Sequence, residues 1–409
     1  MSEYSTVFGI DSHARTTTVC AIVVETGETA TRTFPGVSPY AEIASWMSSF
    51  PGPRMGWYEA GCTGFTPARM LSGGDTRVAP IATHSMPTNP EARARKTDRT
   101  DAARLARAGL AGQLSEVWVP DPGVEGLRDA CHLLEDLSRA RAAARLRVDS
   151  LLLRHGVVWD ERTARGALRK QWGAEHWAWL RSVRLADPAS QRALGLLLAE
   201  ARHAQDAYDE ALEAAAQLCA ASPLAPVVAA LQHVKGCGFV TALSFAAEVG
   251  DFSRFRSGRR VTSYFGLAPA ERSSGGRRRL CGISRSGCAM VRTLLTEAAW
   301  RHAGADGALR KRGPEGVPPE VAEHARSGSR RLTARRRSML ERGVAACKAN
   351  AATAAEMARW LWAVGLEAQR AARAYVSVNA FLANSTNEPA PIAPSKRRRF
   401  RQRKPAAFG

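Results

Sequence analysis

Residues 6–25 read TVFGIDSHARTTTVCAIVVE. Two β-rich runs, TVFGID (6–11) and TTTVCAIVVE (16–25), frame a short polar link, and GETATRTF (27–34) follows a glycine turn. Runs of Val, Ile, Thr and Phe broken by polar residues are read as strands. Outward from them the pattern changes. SPYAEIASWMSS (38–49) fits a short helix with Ser38 as N-cap and Pro39 at its first position. RMGWYEAG (54–61) reads as a buried strand ending at Glu59, TPARMLSGG (66–74) as a helix stopped by glycines, and TRVAPIA (76–82) as another strand. TDRTDAARLARAGLAG (97–112) is a helix stopped by Gly109 or Gly112. Strands first, then strands alternating with helices, make an α/β layer of roughly 110 residues.

The rest of the chain predicts helices. Leu127, Ala130, Leu134, Leu137, Arg141, Ala144, Val148 and Leu152 recur every three or four residues. A second long helix follows Pro188, with Leu194, Leu198, Ala201, Ala204, Tyr208, Leu212, Ala215 and Leu218 on its apolar face. A link holding Trp159, Trp172, Trp177 and Trp179 joins them. This is an antiparallel hairpin or an intersubunit coiled coil. From about Pro226 to 380 the pattern is helical but broken by Gly-rich turns. The expected division is an α/β domain over 1–115, a coiled-coil region over 116–222, a helical domain over 223–385 and a basic tail over 386–409. The tail segment SKRRRFRQRKPAAFG carries basic residues at 396–399, 401, 403 and 404 and no acid. Such a segment is expected to be disordered alone and to add phosphate contacts when bound.

Charge narrows the function. The chain has 409 residues, 45% hydrophobic, with a formal net charge of +20 and a pI near 10.5. The core-forming fraction excludes a disordered protein, and the length suggests two or three domains. So large a cationic surplus calls for a polyanion, of which nucleic acid is the commonest. An anionic membrane is the weaker reading: the chain shows no strongly apolar face opposite a basic one and no lipidation motif. No apolar run approaches the length of a membrane span, and the N-terminus lacks the pattern of a signal peptide. The eight cysteines include no CxxC pair, so they read as small buried hydrophobes in a reducing compartment.

Four carboxylates stand out by position. Asp11 closes the first strand and Glu59 a later one, while Asp98 and Asp101 lie three apart on the helix after the next strand. Active sites of α/β sheets gather at the carboxyl ends of strands, and residues three apart share a helix face. Singly, each acid reads as a turn residue or solvated charge. Together they form a candidate site for Mg2+ or Mn2+, which prefer hard oxygen ligands. Such ions activate one oxygen and stabilise another in phosphoryl transfer. Arg93, Arg95, Lys96, Arg99, Arg104 and Arg107 stand nearby as phosphate partners.

The words GIDSH, YEAGCTGF and KTDRTDAARLA resemble the bridge-RNA-guided insertion-sequence recombinases, DEDD transposases whose relatives include the Piv-type DNA invertases. The resemblance implies an RNase H/RuvC-like first domain with Asp11, Glu59, Asp98 and Asp101 as metal-binding acids and magnesium as the ion. It also implies donor and target DNA, a structured noncoding bridge RNA, a homo-oligomer and a bacterial, nucleoid-associated cytoplasmic setting.

The second half is read independently of those acids. In VKGCGFVTALSFAAEVGD (234–251) Gly236 and Gly238 precede an apolar helix, similar to the turn of a helix-hairpin-helix unit. Such a turn offers backbone N–H groups to a phosphate; the plain alternative is a glycine turn between two helices. Residues 255–292 carry nine arginines and one glutamate. That stretch is either a solvated loop or the family's second motif: GLAP, four residues, SG, then GISRSG. The resemblance places the active serine in the SG pair, at Ser274 rather than the neighbouring Ser273. Arg272, Arg277, Arg278, Arg279 and Arg285 become the arginines of the reacting phosphate and its strand. ERGVAACKANAATAAEMARWLWAV (341–364) resembles the helix that closes the family's domain. The chain departs from the family at Lys235 and Cys288, where Pro and Asn are common. The leading expectation is a DNA recombinase that works through a covalent serine–DNA intermediate. The alternatives are a RuvC-like nuclease that hydrolyses branched DNA and a non-catalytic nucleic-acid-binding protein.

Overall fold

The computed structural model describes residues 3–61, 63–82, 97–271, 280–303 and 313–385. Its strands β1 (Thr6–Ser12), β2 (Thr16–Val23), β3 (Thr29–Pro35), β4 (Arg54–Glu59) and β5 (Thr76–Ile81) form one mixed sheet in the order β3-β2-β1-β4-β5. β1 lies at its centre, antiparallel to β2 and parallel to β4, and β4 runs parallel to β5. The centre falls there because β1 is apolar on both faces: Val7, Phe8 and Ile10 are all buried. On one face Phe8 and Ile10 pack with Ile43 and Met47 of α1 (Tyr40–Ser48) and Leu71 of α2 (Thr66–Leu71). On the other, Val7, Met55, Trp57 and Ile81 pack under Leu105 and Ala106 of α3 (Asp98–Leu110). Each buried Val, Leu, Ile, Phe or Met side chain among them contributes roughly 1.5–3 kcal/mol by leaving water.

Gly9 sets how close α3 sits. A Cβ at that position would overlap the carbonyl oxygen of Ala102 and crowd Ala106 N and Leu105. At the other end of the helix Gly109 lies against the ring of Trp57. Gly109 is therefore inside the helix as a packing residue, and Gly112, at φ +66°, follows its end. Thr97 caps the start in a reciprocal arrangement with Thr100.

The chain divides into two compact units, residues 1–125 and 126–409. α4 (Pro122–Arg154) begins in the first and continues into the second, where α6 (Pro188–Ala220) runs back along it. Ala144, Val148, Leu151 and Leu152 meet Leu194 and Ala201, with Leu180 of α5 (Ala174–Ser182). Around α5, buried His176 sits among Trp159, Trp172 and Trp179 and accepts the Trp172 backbone N–H at 2.9 Å. Two positions of the expected apolar stripes shift by one: Cys131 and Cys219 are buried, and Leu218 is 53% exposed.

Beyond α6, α7 (Ala225–Leu231), α9 (Gly258–Tyr264), α10 (Ala289–Trp300) and α11 (Pro319–Glu341) pack against α12 (Ala346–Ser385). α8 (Phe239–Val249) packs on α7 and α10. Met357, Leu361 and Val364 lie on one buried face of α12, as their spacing predicts. No single helix among the described residues is long and apolar enough to cross a membrane.

Three expectations need correction. Ser38 is not a helix cap: at φ +53° its side chain makes no cap bond, and the helix starts at Tyr40. The second half is not purely helical, since β6 (Pro269–Glu271) and β7 (Leu280–Ile283) pair antiparallel. Nor are the cysteines all buried: Cys281 and Cys347 are exposed and Cys288 is half-buried.

Candidate metal and nucleic-acid site

Side-chain alternation carries Asp11 to the α3 face of the sheet. Val7 faces α3, Gly9 touches it, and Asp11 is two residues further on. Ala102 and Ala106 lie over Gly9 while Asp98 clusters with Asp11 and His13, so α3 runs antiparallel to β1. Its first turn, with Asp98 and Asp101, therefore comes to the carboxyl end of β1. Glu59 follows Tyr58, the partner of Ile10, so it stands level with Asp11 on the neighbouring strand. Through Met55 and Trp57 it belongs to the same face.

The contacts are uneven. Asp11 Oδ2 lies 3.2 Å from His13 Nε2, and Asp98 Oδ1 lies 3.7 Å from the same nitrogen. One donor atom each from Asp11, His13 and Asp98 falls within 4.8 Å of the others. Burial lifts the Asp11 carboxyl above the ordinary carboxylate range; His13 pulls the other way, and the Asp98 and Asp101 carboxylates add to the rise. Asp101 is therefore part of the same charge cluster, and its Oδ1 is 3.5 Å from Arg104 Nη2. Glu59 is half-buried and makes no hydrogen bond or ion pair with the other three among the described residues. The positive end of the α3 dipole partly offsets the repulsion among acids in its first turn.

His13 is the residue that the reading of the acids leaves out. Its signal was present: Asp11 and His13 are two apart at the end of a strand, and a period of two returns a side chain to the same face. His13 also lines a cleft of about 210 Å³ with Ser12, Thr17, Ser38, Tyr40, Thr63 and Thr66, all of which carry hydroxyls.

Of the basic residues near the acids, Arg99 and Arg107 are exposed on α3. Arg104 is turned to Asp101. Arg93, Arg95 and Lys96 lie outside the described residues, as do Arg272, Ser273, Ser274, Arg277, Arg278, Arg279 and the tail from 386. The described structure fixes what flanks Ser274: residues 272–279 join the paired strands β6 and β7. Arg285, exposed and at φ +58°, follows β7.

Gly236 and Gly238 are exposed in the turn between α7 and α8. Gly238 caps α8, and Gly236, at φ +85°, leaves only 2.5 Å between an added Cβ and the Ala298 carbonyl oxygen. Only glycine tolerates that conformation and approach together. Behind the turn, Lys235 donates its backbone N–H to Ser329 Oγ at 2.9 Å, and its carbonyl accepts from His302 Nε2 at 3.0 Å.

An acid-lined sheet edge and a separate, basic helical half match known proteins in two segments. Residues 8–156 match the family model described as Transposase, of the IS110 DEDD type. Residues 228–312 match the one described as Transposase IS116/IS110/IS902 family. A Sinorhizobium fredii protein described as a transposase, y4qE, is 33% identical over 315 residues, 76% of this chain and 75% of that protein. The Coxiella burnetii transposase for insertion sequence element IS1111A is 30% identical over 214 residues, 51% of this chain and 56% of that protein. With matches in both halves and identity across most of its length, this chain belongs to the IS116/IS110/IS902 family of transposases.

Proposed function

We propose that this insertion-sequence transposase cuts and rejoins DNA through a covalent serine–DNA intermediate, with Asp11, Glu59, Asp98 and Asp101 as metal-binding acids and a noncoding bridge RNA as guide. The observation that carries the reading is the gathering of Asp11, Asp98 and Asp101 at one end of the sheet, with Glu59 level on β4. The mixed order β3-β2-β1-β4-β5 supports an RNase H/RuvC-like first domain over 1–115. The coiled-coil region over 116–222 and the serine-containing domain over 223–385 complete the proposed division.

The donor chemistry suits a hard divalent ion. The acids are all oxygen donors, and a cation would relieve the repulsion that adds to the burial-driven rise of the Asp11 carboxyl. Mg2+ or Mn2+ bound there would polarise the scissile phosphate. The chain's own groups supply the rest. In the proposed step Ser274 Oγ forms a phosphodiester with the scissile phosphorus while one P–O bond to the departing sugar oxygen breaks. The serine loses its proton, and the departing oxygen gains one. Arg272, Arg277, Arg278 and Arg279 neutralise the charge that builds on phosphorus. Gly236, Gly238, Lys96, Arg99 and Arg285 hold the flanking backbone by N–H groups and charge. The ester conserves the energy of the cut bond, so the strand is rejoined without another energy source. The net charge of +20 suits polyanionic partners, here proposed to be the guide RNA and the donor and target DNA, and a homo-oligomer would bring two cut ends together.

The test uses Ser274→Ala and Asp11→Asn on end-labelled DNA carrying the insertion junction, supplied with the element's flanking transcript. Ser274→Ala should lose both the protein–DNA adduct and strand exchange by roughly a hundredfold or more. If it still cuts and no adduct forms in the wild type, the hydrolytic nuclease stands instead. If Asp11→Asn leaves strand exchange intact, the acids are not the site.

A further inference from the structure

One donor in the acid cluster is not a carboxylate. We infer that His13 is a nitrogen ligand of the divalent ion held by Asp11 and Asp98, and that it shifts the site's preference from Mg2+ toward Mn2+. The inference rests on the metal-centre reading above and adds to it a ligand and a selectivity.

Position is the first argument. His13 donates its backbone N–H to Thr16 O at 2.9 Å, closing the link between β1 and β2. The backbone of His13 is thus held by a short turn at the strand end, not carried on a long loop. Geometry is the second. Nε2 sits 3.2 Å from Asp11 Oδ2 and 3.7 Å from Asp98 Oδ1. Ligand atoms around a six-coordinate ion with bonds of about 2.1 Å stand about 3 Å apart when adjacent and about 4.2 Å apart when opposite. The three donor atoms already lie at separations of that order, within 4.8 Å of one another. They need small side-chain adjustments, not a rearranged backbone.

Chemistry is the third argument. An all-carboxylate site treats Mg2+ and Mn2+ similarly, whereas an imidazole nitrogen is a borderline-soft donor that favours first-row transition ions. Mg2+ dehydrates reluctantly and readily keeps a water in place of a nitrogen. The simpler alternative is that His13 only forms an ion pair with the two aspartates. Its side chain is 54% exposed, as is that of Asp98, so such a pair would contribute little to stability.

The two roles separate by spectroscopy on the full-length protein without DNA. Mn2+ is titrated and followed by electron paramagnetic resonance, with Mg2+ as competitor, and the bound ion is examined for 14N coupling by electron spin echo modulation. The wild type should show 14N modulation that disappears in His13→Ala. That variant should bind Mn2+ roughly tenfold more weakly while Mg2+ binding changes less than about threefold. His13→Asp should restore affinity and bring the Mn2+ to Mg2+ preference toward unity. If Mn2+ binds, is lost in Asp11→Asn and shows no nitrogen dependent on His13, the inference fails and the metal centre stands. If the wild type binds no Mn2+ at millimolar concentration, the metal centre itself fails and takes the inference with it.

Discussion

The acid edge of the first unit and the glycine turn of the second handle charge in opposite ways. At the edge, like charges are crowded but open: the Asp98 side chain is 54% exposed, and the Asp11 and Asp101 side chains are 20% and 18% exposed. Behind the turn, cations are enclosed. Arg336 is 2% exposed, its Nε has no hydrogen-bond partner among the described residues, and its guanidinium rests 5.1 Å from the Trp300 ring centre. Lys235 Nζ is likewise buried without a hydrogen-bond partner among the described residues. An open cluster of acids is easily relieved by a cation. An enclosed cluster of bases must be sustained by the packing around it, because unpaired buried charge costs several kcal/mol. The first arrangement suits a site that is filled in use. The second suits a rigid support for the turn in front of it.

The sharpest way to break the first region leaves its charges untouched. Gly9→Ala forces α3 off β1, since the new Cβ would meet backbone atoms of Ala102 and Ala106 that cannot swing aside. Overpacking against backbone should cost about 3 kcal/mol or more. It should also separate Asp98 and Asp101 from Asp11, so that Mn2+ affinity falls in whatever fraction still folds. Denaturant unfolding with a parallel Mn2+ titration checks both. Unchanged stability would mean that α3 does not dock through Gly9.

The second region is tested by acid. His302 Nε2 donates to Lys235 O at 3.0 Å, and in the neutral ring Nδ1 accepts from Thr333 Oγ1 at 2.9 Å. Burial, helped by the positive charges of Lys235 and Arg336, pushes its pKa from 6.5 down to about 4. A base with a depressed folded pKa gives stability that is present above its unfolded value and is lost as pH falls through the folded one. Between pH 6.5 and 4 the wild type should therefore lose up to about 3 kcal/mol, at 1.36 kcal/mol per pH unit. His302→Gln keeps hydrogen-bonding capacity and cannot titrate, so its unfolding free energy should vary less across that range. Parallel pH profiles for the two proteins would mean that folding does not depress the His302 pKa.

The contrast also marks what the amino-acid order reveals. The acid edge was readable because strand alternation and helix spacing are local: Asp11, Glu59, Asp98 and Asp101 are assigned to elements by their immediate neighbours. His13 was readable by the same period of two and lay within the quoted motif. Lys235 and Arg336 were not, because nothing near either residue signals that it will be enclosed, and a basic protein has many like them. Small shifts have the same origin. A helix with Leu218 beside Cys219 offers two apolar choices, and the packing partner selects Cys219. Ser38 followed by proline looks like a cap until its backbone takes a positive φ. The β6–β7 pair is too short, at three and four residues, to stand out from the arginine-rich stretch around it.

The smallest effect tests the comparison most directly. Folding raises the Asp11 pKa, chiefly by burial, with Asp98 and Asp101 adding to it. A carboxyl shifted this way adds stability below its unfolded value and loses it as pH climbs through its folded value. At neutral pH an ionised Asp11 therefore opposes folding. Asp11→Asn should raise the Tm of the metal-free protein by a few degrees at most, whereas Lys235→Met, which removes an enclosed cation, should do so whether or not metal is present. Added Mg2+ or Mn2+ should reverse the first order: the wild type gains stability by mass action and Asp11→Asn does not. Two melting curves for each protein, with chelator and with saturating metal, read the crossing. If Asp11→Asn is less stable than the wild type without metal, Asp11 is a structural residue of the strand end. The two regions would then differ in exposure but not in kind.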